Sequence, residues 1–207
     1  VSIKRELKRK SLHLMGLVVP LIYYLLGRNA ALTVTGVAFF VFVVLEPFRI
    51  IEELRDNIKR RLRIYVDNDV LERMETLERQ IDEITRGHER NRVAAHIYFV
   101  AASFIVIYFF PMNVAIGAIT VATLGDALAA IVGKSLGRHR FSNGKSLEGS
   151  LAYFISAFLV LMPLVGVYGA LAGAAGGTLA EFYNLPPDDN FSNQLTVAVV
   201  LYLLYLL

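Results

Sequence analysis

Cysteine is absent from the 207 residues. That excludes a disulfide framework, a thiolate metal site and a thiol nucleophile. Polar sequence is scarce as well. Hydrophobic residues make up 56% and charged residues 19%, at a mean hydropathy of +0.53. Such a chain is too apolar for an ordinary soluble domain. The first apolar run has no small-residue cleavage site, so it reads as a retained span and not as a removed leader. Matching repeats of broken helices, a frequent mark of transporters, are not evident.

Present instead are apolar runs near the ~20 residues that a spanning helix needs. Seven are expected, at 12–26, 30–45, 93–110, 112–134, 147–162, 165–183 and 191–207. The fold class is therefore an all-α integral membrane protein, one domain over 1–207. Its core is a bundle of about seven transmembrane helices. The one long polar stretch, 50–92, is read as an insert between spans two and three. Within it Ile51, Leu54, Ile58 and Leu62, then Val70, Leu71, Met74, Leu77, Ile81 and Ile84, recur at helical steps. Two amphipathic helices are expected there, separated near Asp67-Asn68-Asp69. They lie in the interface, pack on the bundle, or pair with a second subunit in a homo-oligomer. Glu89 and Arg92, next to the third span, are minor site candidates. Glu46 and Arg49 are spaced to pair around Pro47, where the second span is expected to end.

Orientation follows from the basic residues. Five of the twenty-one fall in 1–10, six in 49–63, five in 73–92 and four in 134–145. Arg28 stands apart from all of them. With seven spans and a cytoplasmic N-terminus, every basic residue except Arg28 is inside. The loops 134–146 and 184–190 then share the cytoplasmic face. The protein is expected to be multi-pass, with its active site at that face and the bilayer as a partner. No nucleic acid partner is expected.

The chemistry gathers around 124–150, LGDALAAIVGKSLGRHRFSNGKSLEGS. Asp126 lies inside an apolar run, where a carboxylate is costly and marks a functional site. Gly137, Gly144 and Gly149 surround Lys134, Arg138, Arg140 and Lys145. Glycines allow close backbone approach to a phosphate, cations supply the charge, and Ser146 adds a hydroxyl. Glu181, Asp188 and Asp189 are expected at the same face as Asp126. Carboxylates bind Mg²⁺, and Mg²⁺ bridges substrate phosphates. Asp126, Glu181 and Asp188 are the candidate metal ligands. A binding site can also draw on Arg9, Lys10 and His13. Together these suggest phosphoryl or nucleotidyl chemistry on a lipid. Gly144-Lys145-Ser146 is not a Walker A motif. That motif needs a glycine where His139 stands, and a strand where this chain has an apolar helix.

Gly125-Asp126-Ala127, Ala129-Ala130, Gly133 and Gly144-Lys145-Ser146-Leu147-Glu148-Gly149-Ser150 resemble the CTP-dependent polyprenol kinase family. That family includes dolichol kinases, phytol kinases and CTP-dependent diacylglycerol kinases. Arg9-Lys10 with His13 and Gly16 resembles its N-terminal motif. Glu46 with Arg49, and Glu181 with Asp188-Asp189-Asn190, resemble further family features. The block is distantly similar to phosphatidate cytidylyltransferases as well. The resemblance implies a kinase moving the γ-phosphoryl group of CTP to a membrane lipid alcohol. Lys134, Arg138, Arg140, Gly144, Lys145, Ser146 and Gly149 would hold CTP. Asp126 and Lys145 would be catalytic, and His13, Glu148 and Asp189 are open as the general base. A lipid cytidylyltransferase is the alternative, and a transporter a third.

Overall fold

The computed structural model describes residues 10, 11, 13–61 and 94–206, with 47–61 as backbone only. The described residues form a short 3-10 turn, Leu14–Leu17, and five α-helices. We number these α1 (Val18–Arg61), α2 (Ala95–Phe109), α3 (Met112–Ser135), α4 (Leu147–Tyr183) and α5 (Asp189–Tyr205). No strand occurs among the described residues; Arg140 and Ser146 form an isolated antiparallel bridge. Three stretches are long and apolar enough to cross a membrane: Leu14–Glu46, Met112–Ser135 and Leu147–Tyr183. Ala95–Phe109 is apolar but shorter.

The helix ends follow local chemistry. Pro111 stands just before α3, where a missing N–H costs no helical bond, and its carbonyl accepts from Ala115 N at 2.9 Å. Ser146 caps α4 by accepting from Gly149 N at 3.1 Å. Asn184 closes α4 in the left-handed conformation, at φ 48°. Asp188 caps α5 by accepting from Asn190 N at 2.9 Å.

Two of the helices are not straight. The 37 residues of α4 would reach about 55 Å if extended, nearly twice the hydrocarbon thickness of a bilayer. Its helical geometry breaks at Gly166, with φ 73° and ψ 176°, a region that essentially only glycine occupies. Side chains before and after the break then meet. A methyl group on Gly169 would lie 2.9 Å from Val165, one on Gly173 2.7 Å from Leu161, and one on Gly177 3.0 Å from Tyr153. The contacts draw progressively further from Gly166 on both sides. Only a reversal produces that pattern, so α4 is a hairpin of two antiparallel halves with small residues at the seam.

The same break recurs in α1 at Gly27, with φ 84° and ψ −179°. Before it, Gly16 abuts Phe99 and Arg28, just past it, reaches the carbonyls of Ile107 (3.1 Å) and Tyr108. This half runs parallel to α2. After it, Gly36 meets Phe104, Phe42 packs on His96 at 4.4 Å, and Glu46 accepts from Ala94 N at 3.2 Å. That half runs antiparallel. The expected stop at Glu46–Arg49 is not observed: the helix continues through Pro47 to Arg61. Glu46 also holds the start of α2. Arg9 and residues 62–92, with Glu89 and Arg92, lie outside the described residues, as does the Arg49 side chain.

Helix α3 is the centre of the bundle. About 67% of its apolar window is buried, against 22% for α4 and 11% for the first stretch. It packs against all four other helices. Val114, Ala115, Ala118, Ile119 and Val121 are buried along it, meeting Tyr153, Leu161, Val197 and Leu201 in one core. The residue that this arrangement holds at the centre is Asp126.

Candidate active site

Asp126 lies on α3, nine-tenths buried, with Gly125 and Ala127 buried beside it. The Lys10 ammonium, 2% exposed, donates to its Oδ2. His13 Nε2 stands 3.3 Å from the same oxygen. The segment before the first helix therefore crosses the chain to meet the central one, 116 residues away. Pairing compensates the burial of both charges; removing one partner of such a pair strands the other.

A second pair forms between Lys145 and Glu181, whose charged ends bond directly. Glu181 is buried on α4, one turn before its C-terminus. Lys145 belongs to the loop between α3 and α4, and the loop is a small hairpin. Phe141 N donates to Lys145 O at 2.8 Å, Gly144 N to Phe141 O at 3.0 Å, and Leu147 N to His139 O at 2.9 Å. Gly144 takes φ 82°, which the turn demands and glycine supplies. Asn143 Oδ1 accepts from Lys145 N at 3.1 Å, and its amide donates to Phe182 O at 2.9 Å. Phe141 packs on Phe182, their rings 5.0 Å apart. The hairpin is thus fastened to the far end of α4, and Lys145 is carried to Glu181.

Glycine at 133 and 149 is required by contact. A methyl on Gly149 would lie 2.9 Å from Ala129 O and 3.2 Å from Gly133 Cα. The backbones of α3 and α4 touch where the loop leaves the bundle. Between them opens a cavity of about 280 Å³. Asp126, Lys134, Arg140, Gly144, Lys145, Ser146, Gly149, Glu181 and Asp189 all contribute to its wall. Arg140 also donates to Gly133 O at 3.3 Å. A cavity whose wall carries both cations and carboxylates can hold a phosphate-bearing ligand beside a divalent cation.

Three expected residues stand elsewhere. Asp188 directs its carboxylate to the N-terminus of α5, toward Asn190 N and, at 3.0 Å, Asn190 Nδ2. Glu148 accepts from His139 N at 3.2 Å and bonds the His139 ring at 2.8 Å; neither it nor the exposed Arg138 is part of the cavity wall. Among the described residues, no three His, Cys, Asp or Glu side chains stand grouped as a ready metal site. Sequence reasoning missed Asn143, Asn184 and Ser150, which line the cavity. The Asn143-Gly144 turn signal was present for the first.

No protein-family model matches the chain, and no solved structure matches it. Among curated proteins, an uncharacterised protein of Rickettsia prowazekii is 26% identical over 203 residues, covering 92% of this chain and 90% of the relative. An uncharacterised protein of Methanocaldococcus jannaschii is 37% identical over 86 residues, 40% of this chain and 44% of that one. The dolichol kinase sec59 of Schizosaccharomyces pombe is 36% identical over 86 residues, 37% of this chain and 17% of the kinase.

Proposed function

We propose that this chain is a membrane-embedded lipid kinase, transferring the γ-phosphoryl group of CTP to the hydroxyl of a membrane lipid alcohol of the isoprenoid class. One observation carries the reading. Lys134, Arg140, Lys145 and the Gly144 turn share a cavity with Asp126, Glu181 and Asp189, at the end of an apolar bundle. The partial similarity to a dolichol kinase supports phosphoryl transfer. CTP as donor rests on the family resemblance of the GKSLEG block. The hairpins at Gly27 and Gly166 support seven crossing segments, with the cavity at the cytoplasmic face where the basic residues lie.

The work of the protein in such a reaction is positioning and charge neutralisation. Lys145, Lys134 and Arg140 take the phosphate oxygens. The Gly144 turn lets the backbone come close to them. The alcohol oxygen forms a bond to Pγ as the bond from Pγ to the leaving CDP oxygen breaks, and the alcohol proton passes to a basic side chain. Asp189 suits that role because it lines the cavity, and His13 because it abuts Asp126; Glu148 is engaged by His139 outside the wall. The carboxylates of the wall offer only oxygen donors, which fits Mg²⁺. Asp126 and Glu181 would hold it, releasing Lys10 and Lys145 toward phosphate. When bound, the metal supplies neutralisation of the phosphate charge.

The test is incubation with γ-labelled CTP and a panel of geranylgeraniol, phytol, longer polyprenols and diacylglycerol. Label in the lipid with CDP as co-product is the expected result. Label leaving as pyrophosphate, with cytidylate on the lipid, would replace the kinase by a cytidylyltransferase.

A further inference from the structure

The last carbonyls of a helix have no partner within it and must be served from outside. At the end of α4, Leu185 N donates to Ala180 O at 3.4 Å and Asn184 N to Glu181 O at 3.3 Å. The next carbonyl, Phe182 O, accepts from the Asn143 side chain, 39 residues earlier, at 2.9 Å. The other end of that amide accepts from Lys145 N at 3.1 Å. One side chain therefore ties the backbone of Lys145 to the residue that follows Glu181. An asparagine in a turn bonds the backbone two residues on, which accounts for the bond to Lys145. Turn chemistry does not account for the bond to α4.

The tip of the hairpin is thus fastened to α4 in two ways. One fastening is ionic, from Lys145 to Glu181. The other is neutral, from the Asn143 amide and the Phe141 ring to Phe182. A ligand acts on the two differently. A phosphate competes for the Lys145 ammonium, and a divalent cation competes for the Glu181 carboxylate. A nucleotide arriving with its metal therefore loosens the ionic fastening. The neutral one carries no charge for either to attract, and both ends of the Asn143 amide are already bonded to the chain. It persists when the ion pair is gone. Asn143 and Lys145 both line the cavity, so what the amide holds in place is the cavity wall itself.

We infer that Asn143 is a positioning residue for the nucleotide: once the ion pair opens, its amide keeps the loop on α4 and Lys145 at the phosphates. This rests on the kinase reading for its setting. The consequence is specific. In the empty protein the Lys145–Glu181 pair still holds the tip, so loss of the Asn143 clasp is masked. With nucleotide and metal bound, the clasp is the fastening that remains, and its loss shows as weaker nucleotide binding. A contact that only stabilised the fold would do the reverse, lowering the melting temperature of the empty protein and leaving nucleotide kinetics alone.

Asn143→Ser separates the two bonds. A serine hydroxyl still bonds the backbone two residues on, but it is too short to reach Phe182 O. Wild type and Asn143→Ser are compared in label transfer from γ-labelled CTP to geranylgeraniol, and in thermal melting with and without CTP and Mg²⁺. The expected result is a KM for CTP raised roughly 2- to 10-fold, the worth of one neutral hydrogen bond. The kcat and the KM for geranylgeraniol stay at wild type, as for a contact held equally in ground and transition states. Melting without nucleotide is unchanged, and stabilisation by CTP and Mg²⁺ shrinks. An unchanged KM for CTP overturns the inference while leaving the kinase reading intact. If wild type transfers no label, the kinase reading fails, and stabilisation by CTP and Mg²⁺ decides the clasp alone. A smaller stabilisation of Asn143→Ser than of wild type upholds it; equal or no stabilisation overturns it.

Discussion

The two ends of the bundle are built on opposite rules. One end gathers Lys10, His13, Asp126, the loop 134–146, Glu181 and Asp189, with charges paired across long stretches of chain. The other end has the Gly27 and Gly166 joints and the turn before Pro111. Its charge is Arg28, held by two carbonyls of α2 and lying 5.9 Å from the centre of the Tyr108 ring. The plain end turns the chain with backbone geometry alone, since nothing lies within 4 Å of where a Cβ would stand on either joint glycine. The charged end turns it with side-chain contacts that also form a cavity. Turning a helix in an apolar bundle therefore needs no polar residues, so the turns alone do not account for their concentration at one end.

Substitutions test that contrast. Asp126→Asn keeps the shape and removes the charge, stranding the Lys10 ammonium. We expect turnover to fall by about a hundredfold or more, whatever the Mg²⁺ concentration, as measured with γ-labelled CTP. Near-wild-type turnover with lowered thermal stability would reduce Asp126 to a structural partner of Lys10.

Lys145→Ala should lower kcat/KM for CTP by roughly 10- to 150-fold, the worth of one charge-assisted contact of about 1.5–3 kcal/mol. Wild-type CTP kinetics would make the Lys145–Glu181 pair a loop fastening only. Gly166→Ala addresses the plain end. It should cost about 1–3 kcal/mol of stability, read as a lower melting temperature, with turnover per folded molecule unchanged. Lost turnover in folded protein would break the division between the ends. Glu148→Gln weakens the hold on His139 outside the cavity and should lower turnover by roughly 3- to 10-fold, well short of Asp126→Asn.

The gentlest probe changes no interaction. Asn29→Cys and Ser142→Cys put single thiols at exposed positions of the two ends in a chain without other cysteines. In right-side-out vesicles, an impermeant thiol reagent should label the first and spare the second. Labelling of the second from outside would reverse the orientation and remove cytoplasmic CTP from the proposal.

Much of the loaded end was legible from composition. Asp126 stood out as a carboxylate in an apolar run, and Gly137, Gly144 and Gly149 among cations marked a loop for close approach. Helix breaks were legible as gaps between runs. That the breaks are single glycines inside otherwise continuous helices was not, because a glycine near a run's end reads equally as a cap or a loop. Partners distant in sequence were invisible for a different reason. Lys10 was a binding-site candidate with Arg9 and His13, but only the fold brings it to Asp126. Asp188 looked like a metal ligand beside Asp189, but a carboxylate just before a helix is equally a cap, and here it accepts from the helix N–H.

The bond from Ala94 N to Glu46 has a practical side. It joins two positions 48 residues apart at the point where the polar insert departs and returns. For an engineer this is a port. Joining points already in contact adds little loop-closure entropy, and the amount varies only slowly with length. A fluorescent domain with nearby termini, or a short glycine–serine tether, can be spliced there while the helices on either side keep their register. The insert thereby becomes a cassette, exchangeable between chains of this architecture, with the cavity left as an internal control.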